Sequence, residues 1–420
     1  MPAHVLPPLI ANWFAAKGWS PRAHQLDVLA SWNAGASALL IAPTGAGKTL
    51  AGFLPTLSDL IDGKHQGLHT LYISPLKALA VDVARNLTTP IAEMGLKLKV
   101  ETRTGDTPAS RRVRQRIDPP QILLTTPEQM ALLLSHPDAP RMFGSLKRIV
   151  LDELHALVTS KRGDLLSLAL ARLSVLAPQM RITALSATVA RPDLLAEWIA
   201  QPLPQAPTHL LTAQGGAQPV LSILETDERL PWAGHSANYS HRALYDAIKD
   251  HKTTLLFVNT RSQAEMLFQG LWAINDDLLP IALHHGSLSV EQRRKVESAM
   301  VAGSLKAVVC TSTLDLGIDW GDVDLVVQVG APKGSSRMLQ RIGRANHRLD
   351  EPSKAMLVPS NRFEVLECEA ALEAVAENHQ DSEDPVPGGY DVLAQHILGM
   401  ACAAPFFADA LFQEIQHAWP

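Results

Sequence analysis

The run APTGAGKT (42–49) restricts this chain more than any other feature. It follows a short apolar run, Ala38–Ala42, and precedes a helix-length segment, Thr49–Leu60. A loop carrying two glycines between a buried strand and a helix curls so that backbone N–H groups face a polyphosphate. The helix N-terminus adds partial positive charge. The run matches the phosphate-binding loop except that Ala42 replaces its first glycine. Thr44, Gly45, Ala46, Gly47, Lys48 and Thr49 are therefore candidate nucleotide-binding residues. In that chemistry the lysine reaches the β- and γ-phosphates and the hydroxyl of Thr49 ligates Mg²⁺.

The flanking pattern agrees with such a loop. Strand-like runs at Ala38–Ala42, Thr70–Ser74, Ile122–Thr125, Arg148–Leu151 and Ile182–Ser186 alternate with helix-length segments such as Thr49–Leu60 and Leu76–Met94. This alternation predicts a parallel sheet covered by helices on both faces. It breaks over a stretch rich in Pro, Gly and Gln, then resumes at Thr254–Val258, Ile281–His284, Ala307–Thr311 and Leu325–Val329. The expected organisation is an α/β domain over 1–212, a linker over 213–238, a second α/β domain over 239–384, and the helical opening of a third unit over 385–420. That last stretch is too short to close its own core, so the chain reads as truncated early in this unit.

Arg148-Ile149-Val150-Leu151 runs directly into Asp152-Glu153-Leu154-His155. Acidic residues just past a buried parallel strand lie on the ligand edge of such a sheet. Asp152 is the candidate Mg²⁺ ligand, and Glu153 the candidate base that orients and deprotonates the attacking water. An acidic helix start would read the same way in isolation. Downstream, QRIGRANHR (340–348) offers Arg341 and Arg344 as sources of positive charge for phosphoryl transfer.

Composition narrows the class. The three cysteines, Cys310, Cys368 and Cys402, stand far apart without CxxC spacing, which excludes a disulfide framework and fits a reducing compartment. The N-terminal residues lack the layout of a signal peptide, and no apolar run has the length of a membrane helix. Taken as a total, the net charge of −5 argues against nucleic acid. Residues 361–384, however, carry eight acids against one base, whereas 97–116 carry seven bases against two acids. Charge is thus segregated, and the basic stretch is a candidate nucleic-acid footprint. RRVRQR (111–116) within it reads equally well as a solvated charged helix. His284-His285 has no third ligand in sequence and reads as a structural or strand-contacting pair rather than a metal site.

The order of short motifs resembles superfamily 2 helicases of the DExH type. Gln25 in WSPRAHQ matches the adenine-reading motif, and APTGAGKT, SPLKALA (74–80), TTPEQ (125–129), DELH (152–155) and Ser186-Ala187-Thr188 match motifs I, Ia, Ib, II and III. FVNTRSQAE (257–265), TSTLDLGID (311–319) and QRIGRANH (340–347) resemble motifs IV, V and VI. TRTGDT (102–107), GIDWGDVD (317–324) and SNRFEVLECEAAL (360–372) are similar to the Lhr group, in its bacterial ligase-associated branch.

The resemblance implies two RecA-like P-loop domains in tandem followed by the start of a winged-helix domain. It implies ATP with Mg²⁺, bound by motif I and II residues and by Gly317, Asp319, Arg341 and Arg344, with Ser186, Thr188 and His155 coupling hydrolysis to movement. It places a single strand against Arg103, Thr126, Thr260, Arg261, Thr311 and Ser312. His347, with Arg348 beside it, stands where the wider superfamily often has a second arginine finger. The implied activity is 3′→5′ translocation on single-stranded DNA with unwinding of DNA or RNA:DNA duplexes in repair, in a cytoplasmic, nucleoid-associated bacterial protein with a ligase or nuclease as partner and no membrane. Two alternatives stand beside it: an ATP-driven remodeller that does not unwind, and a non-catalytic nucleic-acid scaffold.

Overall fold

The computed structural model describes residues 6–43, 45–213, 217–315, 323–345, 352–377, 379, 381 and 384–419. The chain divides into two compact units, one of residues 1–42, 47–214 and 383–420, the other of 43–46 and 215–382.

The first unit is built on a seven-stranded sheet: β1 (Ser37–Ile41), β2 (Thr70–Ile73), β3 (Val100–Arg103), β4 (Ile122–Thr125), β5 (Arg148–Leu151), β6 (Arg181–Ser186) and β7 (Thr208–Thr212). Their order is β3-β4-β2-β5-β6-β1-β7, and every pairing is parallel. β1, β2, β4 and β5 are buried at every position, which is why their sequences read as continuous apolar runs. β3 and β7 are half-exposed edge strands with mixed polarity, so no comparable run marks them.

The second unit holds a six-stranded parallel sheet: β8 (Val220–Ile223), β9 (Thr254–Val258), β10 (Ile281–His284), β11 (Ala307–Cys310), β12 (Leu325–Val329) and β13 (Lys354–Val358). The order is β10-β11-β9-β12-β13-β8. Both units are RecA-like α/β domains. β8 lies inside the stretch 213–238 that the sequence reads as a linker. It is an exposed edge strand held by β13, and its alternating exposure hides it among turn-forming neighbours.

Residues 385–420 were expected to begin a separate unit, but they group with the first. The reason is apolar burial. Met400 and Leu411, from the helices Tyr390–Ala403 and Ala408–Ile415, join the first unit's core, while Val392 and Ala418 pack with Leu165 and Leu168. Lys161–Asp391 (2.5 Å) and Arg172–Glu414 (2.8 Å) pin both helices to the helix Lys161–Leu176.

Candidate nucleotide site and strand-contact residues

In the first sheet β5, β6 and β1 are neighbours, so the loops after them share one carboxyl edge. The Ala42 N–H donates to the Ser186 carbonyl (3.1 Å), and Lys48 Nζ donates back to the Ala42 carbonyl (3.0 Å). Gly45 and Gly47 adopt φ of 78° and 75°, which favour glycine. Gln25, 4% exposed, reaches the same loop, its Nε2 donating to the Gly47 carbonyl (3.4 Å). A Cβ on Gly47 would stand 2.8 Å from that nitrogen, so the second glycine also serves the close approach of Gln25.

Asp152 and Glu153 follow β5 directly, and both are buried. Glu153 has φ 48° and ψ 46°, a left-handed conformation that costs an L-residue about 1–2 kcal/mol. Nothing in the sequence signals this turn. Burial and the adjacent Glu153 charge raise the Asp152 pKa to about 6, while the Tyr72 hydroxyl and Lys48 oppose the rise. Tyr72, from the middle of β2, donates to Asp152 Oδ2 (2.5 Å), and the Glu153 N–H donates to Oδ1 (2.9 Å). Tyr72 also stacks on Phe53. Sequence reasoning missed Tyr72, and its one signal was a hydroxyl in the otherwise apolar core run Leu71-Tyr72-Ile73. Tyr72→Phe should lower kcat for ATP hydrolysis about tenfold and cost about 1–3 kcal/mol of stability, because one charge-assisted hydrogen bond orienting the buried Asp152 is lost. Steady-state ATPase and thermal unfolding of the variant measure both.

His155 links two motifs. The Ala187 N–H donates to its Nδ1 (3.3 Å), which leaves the ring proton on Nε2, 3.6 Å from Glu153 Oε2. Ser186 Oγ lies 3.2 Å from the same Nδ1 and donates to the Ala187 carbonyl (2.8 Å). Burial pushes the His155 pKa down, so the ring is neutral near pH 7. Thr188 is half-buried beside them.

The turn after DELH rests on the helix Lys161–Leu176. A Cβ on Gly163 would approach the Leu157 carbonyl oxygen to 2.3 Å, so only glycine lets this helix close on the turn. Gly163→Ala should therefore displace the turn and cost about 2–4 kcal/mol. Chemical denaturation with ATPase assays checks this, and wild-type behaviour in both would refute it.

These residues suit ATP with Mg²⁺. Thr49 and Asp152 are hard oxygen donors, and Lys48 adds an ammonium group. Among the described residues no cluster of three or more His, Cys, Asp or Glu could hold a metal. This is compatible with an ion that takes few protein ligands and completes its shell with water and phosphate.

The strand-contact candidates fall into several environments. Arg103 ends β3 and Thr126 follows β4 at the same carboxyl edge as the P-loop, but both are buried. Arg103 Nη1 donates to the Arg112 carbonyl (2.9 Å), and burial with Arg116 and Arg112 lowers its pKa to about 10. Its guanidinium thus anchors the helix Ala109–Ile117, which carries the exposed Arg111 and Arg114. In the second unit Thr260 and Arg261 are exposed at the start of the helix Arg261–Ala273, and Ser312 is exposed beside the buried Thr311.

Arg341 departs from its expected part as a finger. It is 4% exposed, Nε donates to Asp315 Oδ1 (2.8 Å), Nη1 donates to Gln328 Oε1, and the guanidinium lies 4.8 Å from the Phe257 ring. It is a buried pin of the second sheet. Arg344 is also 4% exposed, one turn later. Thr44, Gly317, Asp319, His347 and Arg348 lie outside the described residues.

Comparison with known proteins places the chain among helicases. The DEAD/DEAH box helicase family matches residues 22–195, and the helicase conserved C-terminal domain matches residues 239–348. The ATP-dependent helicase Lhr-Core of Methanothermobacter thermautotrophicus is 35% identical over 99% of this chain and 51% of its own length. The Lhr helicase/uracil glycosylase of Escherichia coli is 32% identical over 100% of this chain and 32% of its own length. A structure of the Mycobacterium smegmatis helicase Lhr bound to ssDNA and AMP-PNP superposes with TM-score 0.87 at 34% identity, over 98% of this chain and 55% of that one. The chain thus spans about half, or less, of the relatives it matches.

Proposed function

The chain belongs to the Lhr group of superfamily 2 helicases, and from that premise we propose that it hydrolyses ATP to translocate 3′→5′ on single-stranded DNA. The same cycle separates DNA or RNA:DNA duplexes during DNA repair. One observation carries the reading: P-loop, carboxylate pair and His155 bridge converge on one half of a sheet edge whose other half, β2-β4-β3, ends at Ser74, Thr126 and Arg103.

In this reading Lys48 and the loop amides bind the phosphates, and Gln25 holds the base side of the loop. Thr49 and Asp152 hold Mg²⁺, which when bound neutralises developing phosphate charge. Glu153 orients a water and accepts its proton, while Tyr72 keeps Asp152 in place. Arg344, in QRIGRANHR, is the proposed charge donor. His155, Ser186 and Thr188 pass the state of Glu153 to the strand side. Strand contacts are mostly to phosphate and largely independent of sequence.

Among the described residues no helix is long and apolar enough to cross a membrane. A cytoplasmic, nucleoid-associated location is proposed from the family resemblance alone. A repair ligase or nuclease is the proposed partner, following the ligase-associated branch. Residues 385–420 are proposed as the first helices of a winged-helix domain.

ATPase and unwinding on matched 3′- and 5′-tailed DNA:DNA, RNA:DNA and RNA:RNA duplexes test the proposal. Strand-stimulated hydrolysis with unwinding from 3′ tails is the expected result. Protein displacement without strand separation would indicate a remodeller, and the absence of strand-stimulated hydrolysis would leave only a scaffold.

A further inference from the structure

The His284-His285 pair lies outside the nucleotide chemistry, yet both rings are only 2% exposed. His284 ends β10, beside β11, and its carbonyl accepts from the Thr311 N–H (3.3 Å). Its Nε2 faces Glu297 Oε1 (3.3 Å) on the helix Val290–Val301. A carboxylate accepts only, so Nε2 carries the proton and Nδ1 is the acceptor. The Thr313 hydroxyl then donates to Nδ1 (2.9 Å). Thr313 sits in the short turn Ser312–Leu314 that presents Ser312.

His285 is fixed in the opposite direction. The Ser287 N–H donates to its Nδ1 (3.3 Å), which leaves the proton on Nε2, 3.4 Å from Glu265 Oε1 but without the geometry of a hydrogen bond. Glu265 lies one turn after Arg261 on the helix Arg261–Ala273. Gly286 completes the junction: a Cβ placed there would have Arg261 Nη2 at 3.7 Å and Thr313 Cγ2 at 3.9 Å. Two adjacent rings thus reach two segments that are far apart in sequence.

We propose that His284 and His285 are positioning residues that hold the Thr311–Thr313 turn and the Thr260–Arg261 helix start in fixed register, so that both grip one nucleic-acid backbone. The inference rests on the strand-binding reading above. The role is mechanical: His284 bonds Glu297 through one nitrogen and Thr313 of the strand-contact turn through the other, while His285 Nε2 lies against Glu265 of the strand-contact helix. The rings touch no strand themselves.

The test measures binding of a fluorescent oligo-dT by anisotropy, with the half-saturating strand concentration and the KM for ATP in the ATPase assay. His284→Ala and Thr313→Val should each weaken strand binding about five- to tenfold, the change expected for one lost buried hydrogen bond. The change in strand constants should exceed any change in the KM for ATP. The double variant should bind no worse than the weaker single variant, because both lose the same bond. Thr313→Ser, which keeps the hydroxyl, should bind like the wild type, and this pair carries the test if His284→Ala fails to fold. Additive losses, or variants that bind as the wild type does, overturn the inference alone. A wild type that neither binds oligo-dT nor responds to it overturns the strand-binding reading and the inference with it.

Discussion

Glu153→Gln is expected to reduce strand-stimulated ATP hydrolysis about a thousandfold while leaving nucleotide binding intact. The two side chains have nearly the same shape, so the buried left-handed turn at Glu153 can persist. What disappears is the carboxylate that accepts the proton of the attacking water. The change also removes the neighbouring charge that helps to raise the Asp152 pKa, so Asp152 remains available as an anion. Lys48→Ala should differ in kind, since it removes the ammonium that grips the phosphates and weakens ATP binding as well. Single-turnover hydrolysis with a nucleotide-induced thermal shift separates the two. Hydrolysis in Glu153→Gln within a fewfold of wild type would exclude Glu153 as the base.

The second large effect is on stability. Arg341→Ala should destabilise the second unit by about 3 kcal/mol, because it leaves buried Asp315 with only Arg337 Nε at 3.7 Å and takes the donor from Gln328 Oε1. Arg341→Lys should recover little, since an ammonium cannot reproduce the fork that reaches Asp315 and Gln328 together. Replacing Arg341 and Asp315 together by apolar residues of similar volume should recover most of the loss. Denaturant unfolding of the three variants gives the ranking. A stable Arg341→Ala protein that had lost only hydrolysis would restore the arginine to a direct catalytic role.

Strand legibility in the sequence follows burial. Ile122–Thr125, Arg148–Leu151, Thr254–Val258 and Leu325–Val329 are readable to the residue, because buried parallel strands leave continuous apolar runs, and the half-buried edge strand Ile281–His284 keeps enough of one to be read as well. β8 is invisible because only alternate residues are sheltered and the surrounding Pro and Gln dominate. The helices of 385–420 are visible as helices, but their attachment is not. An amphipathic face records that it needs burial and carries no address for the surface that supplies it.

The sequence alone determined which residues are proposed for the nucleotide site. Glycine, lysine, hydroxyl and paired carboxylates at fixed distances from buried strands are local requirements, and local requirements are written in consecutive residues. Only the tertiary structure decided which side chains support that chemistry. Tyr72 reaches Asp152 across 80 positions, Gly163 admits a helix against the DELH turn, and Arg341 turns inward to Asp315 and Gln328. These contacts depend on strand order and helix packing, which bring distant residues within a few ångströms and leave no periodicity to read.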